Sequence, residues 1–337
     1  MSQESLSSLP FPLDPNQTHP WLLLFHGSNL QNQTFYSISK DKAVVDTKIT
    51  EFRSKKAIST SHPSWLALIH PRKSSLTFSL LNTVTKQEIH LPKIKQKRER
   101  SSYFDYACIF SEPPTHPNCH VLFIAAFDTR LYYYRMGDEK FTSRPNKFGD
   151  DENNNLASAV HYKGKIYGWI GCSRNLVQVD FIGGEIVIEK VVNDKGQSCH
   201  IPMPTPPFSF MFNEYLVASG DDVLLVHSST NGNNPSMQVS HYNIFKIDVY
   251  KGEWTELKSI GDRTIFLDPY GSKSWLFTNN TDNGSDDEND DIRIKKNSIY
   301  YLEGDGILYV YDIEDRSRTL VKLPPVKRDW LMSWVVM

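Results

Sequence analysis

A short aromatic and β-branched run that ends in a polar turn and leads into a second extended run recurs six times in this chain. The clearest copies read Val177-Gln178-Val179-Asp180-Phe181, Phe245-Lys246-Ile247-Asp248-Val249 and Tyr309-Val310-Tyr311-Asp312-Ile313, and weaker ones lie at residues 35–39, 78–82 and 131–136. From Ser39 through Asn82, Met136, Asp180 and Asp248 to Asp312 the spacings are 43, 54, 44, 68 and 64 residues. A four-stranded blade with its connections needs about 40 to 50 residues, so six such units use nearly the whole chain. The pattern predicts an all-β chain, a six-bladed β-propeller of four-stranded antiparallel blades.

The first copy offers only three strands, at residues 21–26, 34–39 and 43–49, while residues 330–337 form a lone strand with no hairpin partner nearby. Setting this C-terminal strand innermost in the first blade completes it, joins the chain ends and removes the exposed edges an open array would carry. The second blade is expected at residues 57–60, 65–69, 76–81 and 88–91, and the third at 103–110, 121–126, 131–135 and 141–143. The fourth takes 158–162, 166–170, 176–181 and 185–191, with tight turns at Lys163-Gly164 and Gly183-Gly184, where glycine supplies positive φ. The fifth takes 208–212, 215–227, 243–249 and 254–257, with a last turn at Lys251-Gly252. The sixth takes 264–267, 275–277, 299–302, 307–313 and 319–323. Residues 1–20, rich in Ser and Pro, read as a flexible N-terminal segment, and 21–337 as one propeller domain. Residues 192–207, 229–240 and the acidic 279–291 read as surface loops, since none has apolar periodicity, and the acidic one as disordered.

Hydrophobic residues make up 39% and aromatics 12%, enough for a continuous core. The net charge of −2 provides no field for nucleic acid or an anionic membrane, so neither is an expected partner. Cys108, Cys119, Cys172 and Cys199 lack the spacing of a disulfide framework, and no apolar run is long enough to span a bilayer. A cytoplasmic or nuclear location is expected.

No nucleophile elbow, Walker loop, Rossmann fingerprint or HExxH occurs. Cys172, after Gly168-Trp169-Ile170-Gly171, reads as a turn thiol rather than a nucleophile. Cys119-His120 and Cys199-His200, with His116 nearby, hold metal-ligand types, but successive strand side chains point to opposite faces, so no metal or other cofactor is expected. Asp221-Asp222 follows Gly220 in a hairpin turn, and Asp180, Asp248 and Asp312 recur at equivalent strand ends, which assigns them a repeated structural role. The basic run at residues 93–100 is a candidate nuclear import signal or RNA contact and otherwise a solvated turn. Trp169, Trp254, Trp275, Trp330 and Trp334 lie in or beside strands and are expected mostly in the core. Trp275, preceded by Tyr270-Gly271-Ser272-Lys273, is the one chosen for a loop at a ring mouth. With Tyr270, Arg174 and Arg263 it forms the set of candidate partner contacts, residue types enriched at hot spots.

The stretch from Ser158 to Pro324 resembles the plant F-box-associated, KIB-type β-propeller family. The resemblance is carried by His161-Tyr162-Lys163-Gly164-Lys165-Ile166-Tyr167, Tyr215-Leu216-Val217, Leu224-Leu225-Val226 and Phe245-Lys246-Ile247-Asp248. Further C-terminal it continues through Trp254-Thr255-Glu256-Leu257, the Gly261-Asp262-Arg263-Thr264-Ile265-Phe266-Leu267 segment and Asn297-Ser298-Ile299-Tyr300-Tyr301. It implies a propeller that presents loops to a protein partner without catalysis. Family members open with an F-box, a helical module that docks on a Skp-type adaptor. Here Pro10, Pro12, Pro15 and Pro20 exclude such a bundle from the first 20 residues. A role as substrate receptor of an SCF-type ubiquitin ligase is the alternative, and would run through a partner or a degenerate N-terminus. A small-molecule enzyme using the central channel is a second alternative.

Overall fold

The computed structural model describes residues 20–38, 42–47, 49–72, 75–95, 106–125, 130–148, 154–202, 212–230, 239–268, 271–276, 294–303, 307–323 and 331–335. Their strands assemble into six sheets. The first three are β1 (Trp21–His26), β2 (Asn32–Ser37) and β3 (Lys42–Thr47), followed by β4 (Lys56–Ser59), β5 (Trp65–Arg72), β6 (Ser75–Asn82) and β7 (Glu88–Lys95). Next come β8 (Tyr106–Phe110), β9 (His120–Ala125), β10 (Arg130–Arg135) and β11 (Thr142–Pro145), then β12 (Leu156–Tyr162), β13 (Lys165–Ile170), β14 (Asn175–Ile182) and β15 (Glu185–Lys190). The fifth group is β16 (Phe212–Ser219), β17 (Asp222–Thr230), β18 (Val239–Asp248) and β19 (Glu253–Leu257). The last is β20 (Arg263–Asp268), β21 (Gly271–Leu276), β22 (Ser298–Glu303), β23 (Ile307–Asp312) and β24 (Ser317–Val321), after which β25 (Leu331–Val335) ends the set. No helix among the described residues is long and apolar enough to cross a membrane.

The strands divide between two compact units. In the first unit the sheet order is β25-β1-β2-β3 beside β4-β5-β6-β7. The C-terminal strand completes the first sheet, as the missing fourth strand required. Trp21 faces Val335 and Leu22 faces Trp334 in antiparallel register. Ser59 Oγ, from β4, donates to the Trp334 carbonyl at 2.6 Å. Every residue of β1 is buried. Trp21, Leu23 and Phe25 point one way, into a core shared with Ala57, Leu66 and Leu68 of the second sheet.

The second unit stacks four sheets, with β8, β12, β16 and β21 side by side as their inner strands. Alternation lets the fifth sheet feed two cores. Leu216, Leu225, Phe245 and Ile247 pack against Tyr167, Trp169 and Leu176 of the fourth sheet. Their neighbours Val217, Leu224, Val226 and Ile244 pack against Ile265, Leu267, Ile299 and Tyr311 of the sixth. Two-sided burial is why these strands read as continuous apolar runs rather than as alternating ones.

The recurring strand-end residue has a repeated job. Asn82 Oδ1 accepts the backbone N–H groups of Val84 and Thr85, Asp248 Oδ1 those of Tyr250 and Lys251, and Asp312 Oδ1 those of Glu314 and Asp315, all within 2.8–3.2 Å. Each closes the hairpin into the last strand of its sheet as an Asx turn. Asp180 differs: Gly183 and Gly184, at φ 61° and 84°, make that turn, and the carboxylate accepts from Gln178 Nε2 at 2.6 Å instead.

The sixth sheet has the five strands its five runs predict, in the order β21-β20-β22-β23-β24, but it departs from the all-antiparallel expectation because β20 inserts between the inner strand and β22 and runs parallel to β22. Two expectations are corrected. Residues 215–227 are not one strand: Gly220, at φ 59°, turns the chain into the β16–β17 hairpin, and most of the expected 208–212 strand lies outside the described residues. Residues 191–201 are not a free surface loop. Leu176 N–H donates to the Cys199 carbonyl at 3.0 Å and Ile201 N–H to the Arg174 carbonyl at 3.2 Å, which buries the Cys199 and Ile201 side chains against Trp169. The β18–β19 turn closes on this loop at Gly252, where a Cβ would stand 2.9 Å from the Asn193 nitrogen. The expected flexible segment at residues 1–20 and the acidic loop at 279–291 lie outside the described residues, apart from Pro20.

If β25 is integral to the first core, truncating its fully buried tryptophan should be far costlier than truncating an exposed outer residue. Trp334→Ala is expected to lower unfolding stability by about 3–5 kcal/mol, whereas Leu320→Ala, 54% exposed on β24, should stay within about 0.5 kcal/mol. Chemical denaturation of the two variants checks this.

Candidate interaction site

Between the third and fourth sheets, both in the second unit, lies a groove of about 510 Å³. One wall is the β8–β9 connection with the start of β9 and the end of β10; the other is formed by β13, β14 and the β14–β15 turn. The β8–β9 connection folds on itself through His116 N–H to the Pro113 carbonyl at 2.8 Å and Cys119 N–H to the His116 carbonyl at 3.0 Å. These bonds bring Glu112, His116 and Asn118 to the groove.

Asn118 organises this wall. Its backbone N–H donates to His116 Nδ1 at 3.2 Å, and its side-chain Oδ1 accepts from Arg135 Nη2 at 3.1 Å. Arg135 and His120 are directly opposed across β10 and β9. The His120 ring lies flat on Phe181 of the other wall, with centroids 4.3 Å apart and planes 6° from parallel. Burial, reinforced by the Arg135 charge, lowers the His120 pKa against the opposing pull of the Asn118 backbone and Asp138. Opposite, Lys165 Nζ donates to Gln178 Oε1 at 3.0 Å, the amide whose nitrogen serves Asp180.

The hydroxyl and the thiol beside the groove are both engaged in hydrogen bonds. Its hydroxyl, Ser111 Oγ, is an acceptor for His120 N–H at 2.9 Å. The adjacent Cys119 thiol is buried, donates to the Glu112 carbonyl, and is pushed up to about 11 by burial, away from the thiolate a nucleophile needs. Among the described residues, no group of three His, Cys, Asp or Glu side chains is placed to hold a metal ion.

The candidate contacts chosen from sequence fall elsewhere. Trp275 lies in β21 with its backbone opposite Thr264, and Tyr270 is outside the described residues. Arg174 sits at φ 52° in the β13–β14 turn, and its N–H donates to the Gly171 carbonyl at 3.3 Å. Arg263 opens β20. Its Nη1 reaches Asp222 Oδ2 at 2.8 Å and its Nε the Ile260 carbonyl at 2.9 Å, while Lys246 holds the other Asp222 oxygen at 2.7 Å. Arg263 thus ties the start of the sixth sheet to the β16–β17 hairpin. The basic run enters the described residues only as Lys93 to Lys95, the end of β7.

Two tryptophans carry signals that composition hid. Trp169 is fully buried, and its Nε1 donates to Glu214 Oε2 at 2.7 Å; the other carboxylate oxygen lies 3.6 Å from His227 Nδ1. Trp254, expected in the core, is 36% exposed on the outer strand β19, with Nε1 donating to the His200 carbonyl at 3.0 Å.

The KIB1-4 beta-propeller family model matches residues 35–317, so the likeness extends well into the N-terminal half. A putative F-box protein of Arabidopsis thaliana is 23% identical over 277 residues, and F-box protein KIB4 of the same plant is 24% identical over 285. Each alignment covers 75% of this chain and 66% of the relative, so the chain spans just under two thirds of the length of these relatives. Among solved structures, TolB from Acinetobacter baumannii aligns over 94% of this chain and 66% of its own, with 14% identity and a TM-score of 0.43.

The Asp222 pair predicts an acid-dependent loss of stability. Burial acts to raise the Asp222 pKa, but the hydrogen bonds and charges of Lys246 and Arg263 outweigh it and leave the pKa below the ordinary 3.8. A depressed folded pKa means the stabilisation is complete above the unfolded value and is lost as pH falls through the folded one. Asp222→Asn should therefore lower stability at neutral pH and flatten the acid limb of the curve below about pH 4, as followed by denaturant midpoints across pH.

Proposed function

Because this chain belongs to the KIB1-4 β-propeller family and its described strands form six sheets, we propose that it is a non-enzymatic protein-binding propeller. The observation that carries this reading is the family match through residues 35–317, together with relatives that are F-box proteins. Physical support comes from the groove, where hydrogen-bonding side chains stand on paired strands and a hydrogen-bonded turn. Groups held this way lose little conformational freedom when a partner docks, so more of each contact appears as affinity. Arg174, Trp275 and Tyr270 remain a separate set of proposed partner contacts, while Arg263 ties β20 to the β16–β17 hairpin. Four cysteines without the spacing of a disulfide framework support a reducing compartment, the cytoplasm or nucleus.

A second reading follows from the names of the relatives. The chain would act as a substrate receptor of an SCF-type ubiquitin ligase, reaching a Skp-type adaptor through a partner or through an N-terminal segment.

Both are tested by capturing the tagged chain from plant cells with the proteasome inhibited, beside a variant carrying Arg135→Glu and Lys165→Glu. A reproducible partner retained by the unaltered chain and depleted about tenfold by the double charge reversal is expected, since a lost charged contact is worth about 1.5–3 kcal/mol. Co-recovery of a Skp adaptor and cullin would select the ligase reading. Equal recovery of all proteins by both forms would remove the groove as the binding site.

A further inference from the structure

The groove between the third and fourth sheets also indicates what chemical group it receives, if the chain is the protein-binding propeller proposed above. Two cations line it, and each is held by a neutral amide: Arg135 by Asn118 Oδ1 and Lys165 by Gln178 Oε1. Among the described residues neither forms an ion pair. This sets them apart from Lys246 and Arg263, whose charges converge on one carboxylate at 2.7 and 2.8 Å. An amide oxygen orients a cation without neutralising it. Arg135 is exposed at the end of its strand, and its guanidinium has further N–H donors beyond the one given to Asn118.

A second donor stands at the same place. Because His116 Nδ1 accepts the Asn118 N–H, the neutral ring carries its proton on Nε2. Arg135 and His116 are thus positioned by two atoms of one residue. The His120 ring, pinned on Phe181, supplies a flat wall beside them. The acidic residues lining the groove are Glu112 and Asp180, and Asp180 already accepts from Gln178.

We propose that this groove receives an oxyanion, a carboxylate or phosphate group on a partner protein, with Arg135 as its principal contact and His116 as a second donor. Guanidinium geometry matches both groups, because two parallel N–H donors meet two oxygens. The net charge of −2 on the chain leaves recognition to this local arrangement rather than to a general field. His120 reports on occupancy. The groups bearing on it are Arg135 and Asp138 by charge, with Glu112, His116, Lys165 and Asp180 also lining the groove. An anion seated on Arg135 offsets the charge that helps depress the His120 pKa, so binding should draw that pKa upward.

The test uses the full chain labelled with nitrogen-15 in its histidine rings, titrated separately with inorganic phosphate and with N-acetylglutamate. Saturable shifts of the His116 and His120 rings and a rise in the His120 pKa are expected, with binding at least about tenfold weaker in Arg135→Gln at an unchanged melting temperature. His116→Ala provides a second variant and should weaken binding less. Saturation by phosphate alone assigns a phosphorylated side chain, and saturation by both probes an acidic one. Shifts that never saturate with either probe, or equal binding by Arg135→Gln, overturn the proposal. Such failure leaves the protein-binding reading to the capture experiment, which does not depend on these anions.

Discussion

The fifth sheet must be covered on both faces. A strand such as Tyr215–Val217 sends successive side chains into different cores, so neither face of the fifth sheet can do without its neighbour. A four-stranded sheet has little interior of its own, and its stability is the sum of what it buries on either side. The polar features follow from this requirement. Polar groups brought into the interior are tied to nearby atoms, as Glu214 Oε2 is to the Trp169 indole and as the Gln33 amide is to the Leu30 carbonyl and Ile49 N–H. Placing an unpaired carboxylate there would cost several kcal/mol.

The same constraint separates the parts that frame a site from the parts that make it. The sheets supply rigidity through their packed layers, and the groove takes its donors from places where strands end. Asn118, one residue before the buried Cys119, lies at the boundary between these regimes. The hydrogen bonds that set the turn also set Arg135 and His116, so the geometry of the groove is inherited from the fold rather than added to it.

Much of the architecture was legible in the chain because aromatic and β-branched runs and Asx or glycine turns are local signals. Lys163-Gly164 and Gly183-Gly184 announce their hairpins, and the unpaired C-terminal strand points to the sheet that lacked one. The inserted β20 was harder to see: its apolar run looks like any other strand, and nothing local encodes a parallel neighbour. The loop around Cys199 and Ile201 carries two apolar residues among many polar ones, too few for a period, and is held by backbone bonds that leave no compositional trace. The groove was invisible for a related reason. Glu112, Arg135, Lys165 and Phe181 are far apart in the chain and converge only once two sheets pack. Arg263 stood out in a family-like segment, and its service turned out to be internal.

The pairing of β1 with β25 also has a kinetic side. Trp21 and Val335 are neighbours in space at opposite ends of the chain, and contacts of such separation form late because the loop must close before any bond rewards it. During synthesis at about 5–20 residues per second, roughly 300 residues emerge after β1, so its apolar edge waits for something like 15 to 60 seconds. An unpaired strand of Leu and Phe is a template for the wrong partner. The nascent protein is therefore exposed to misassembly over an interval set by its own length, and a chaperone that shields the first sheet would act while the later blades are still being made.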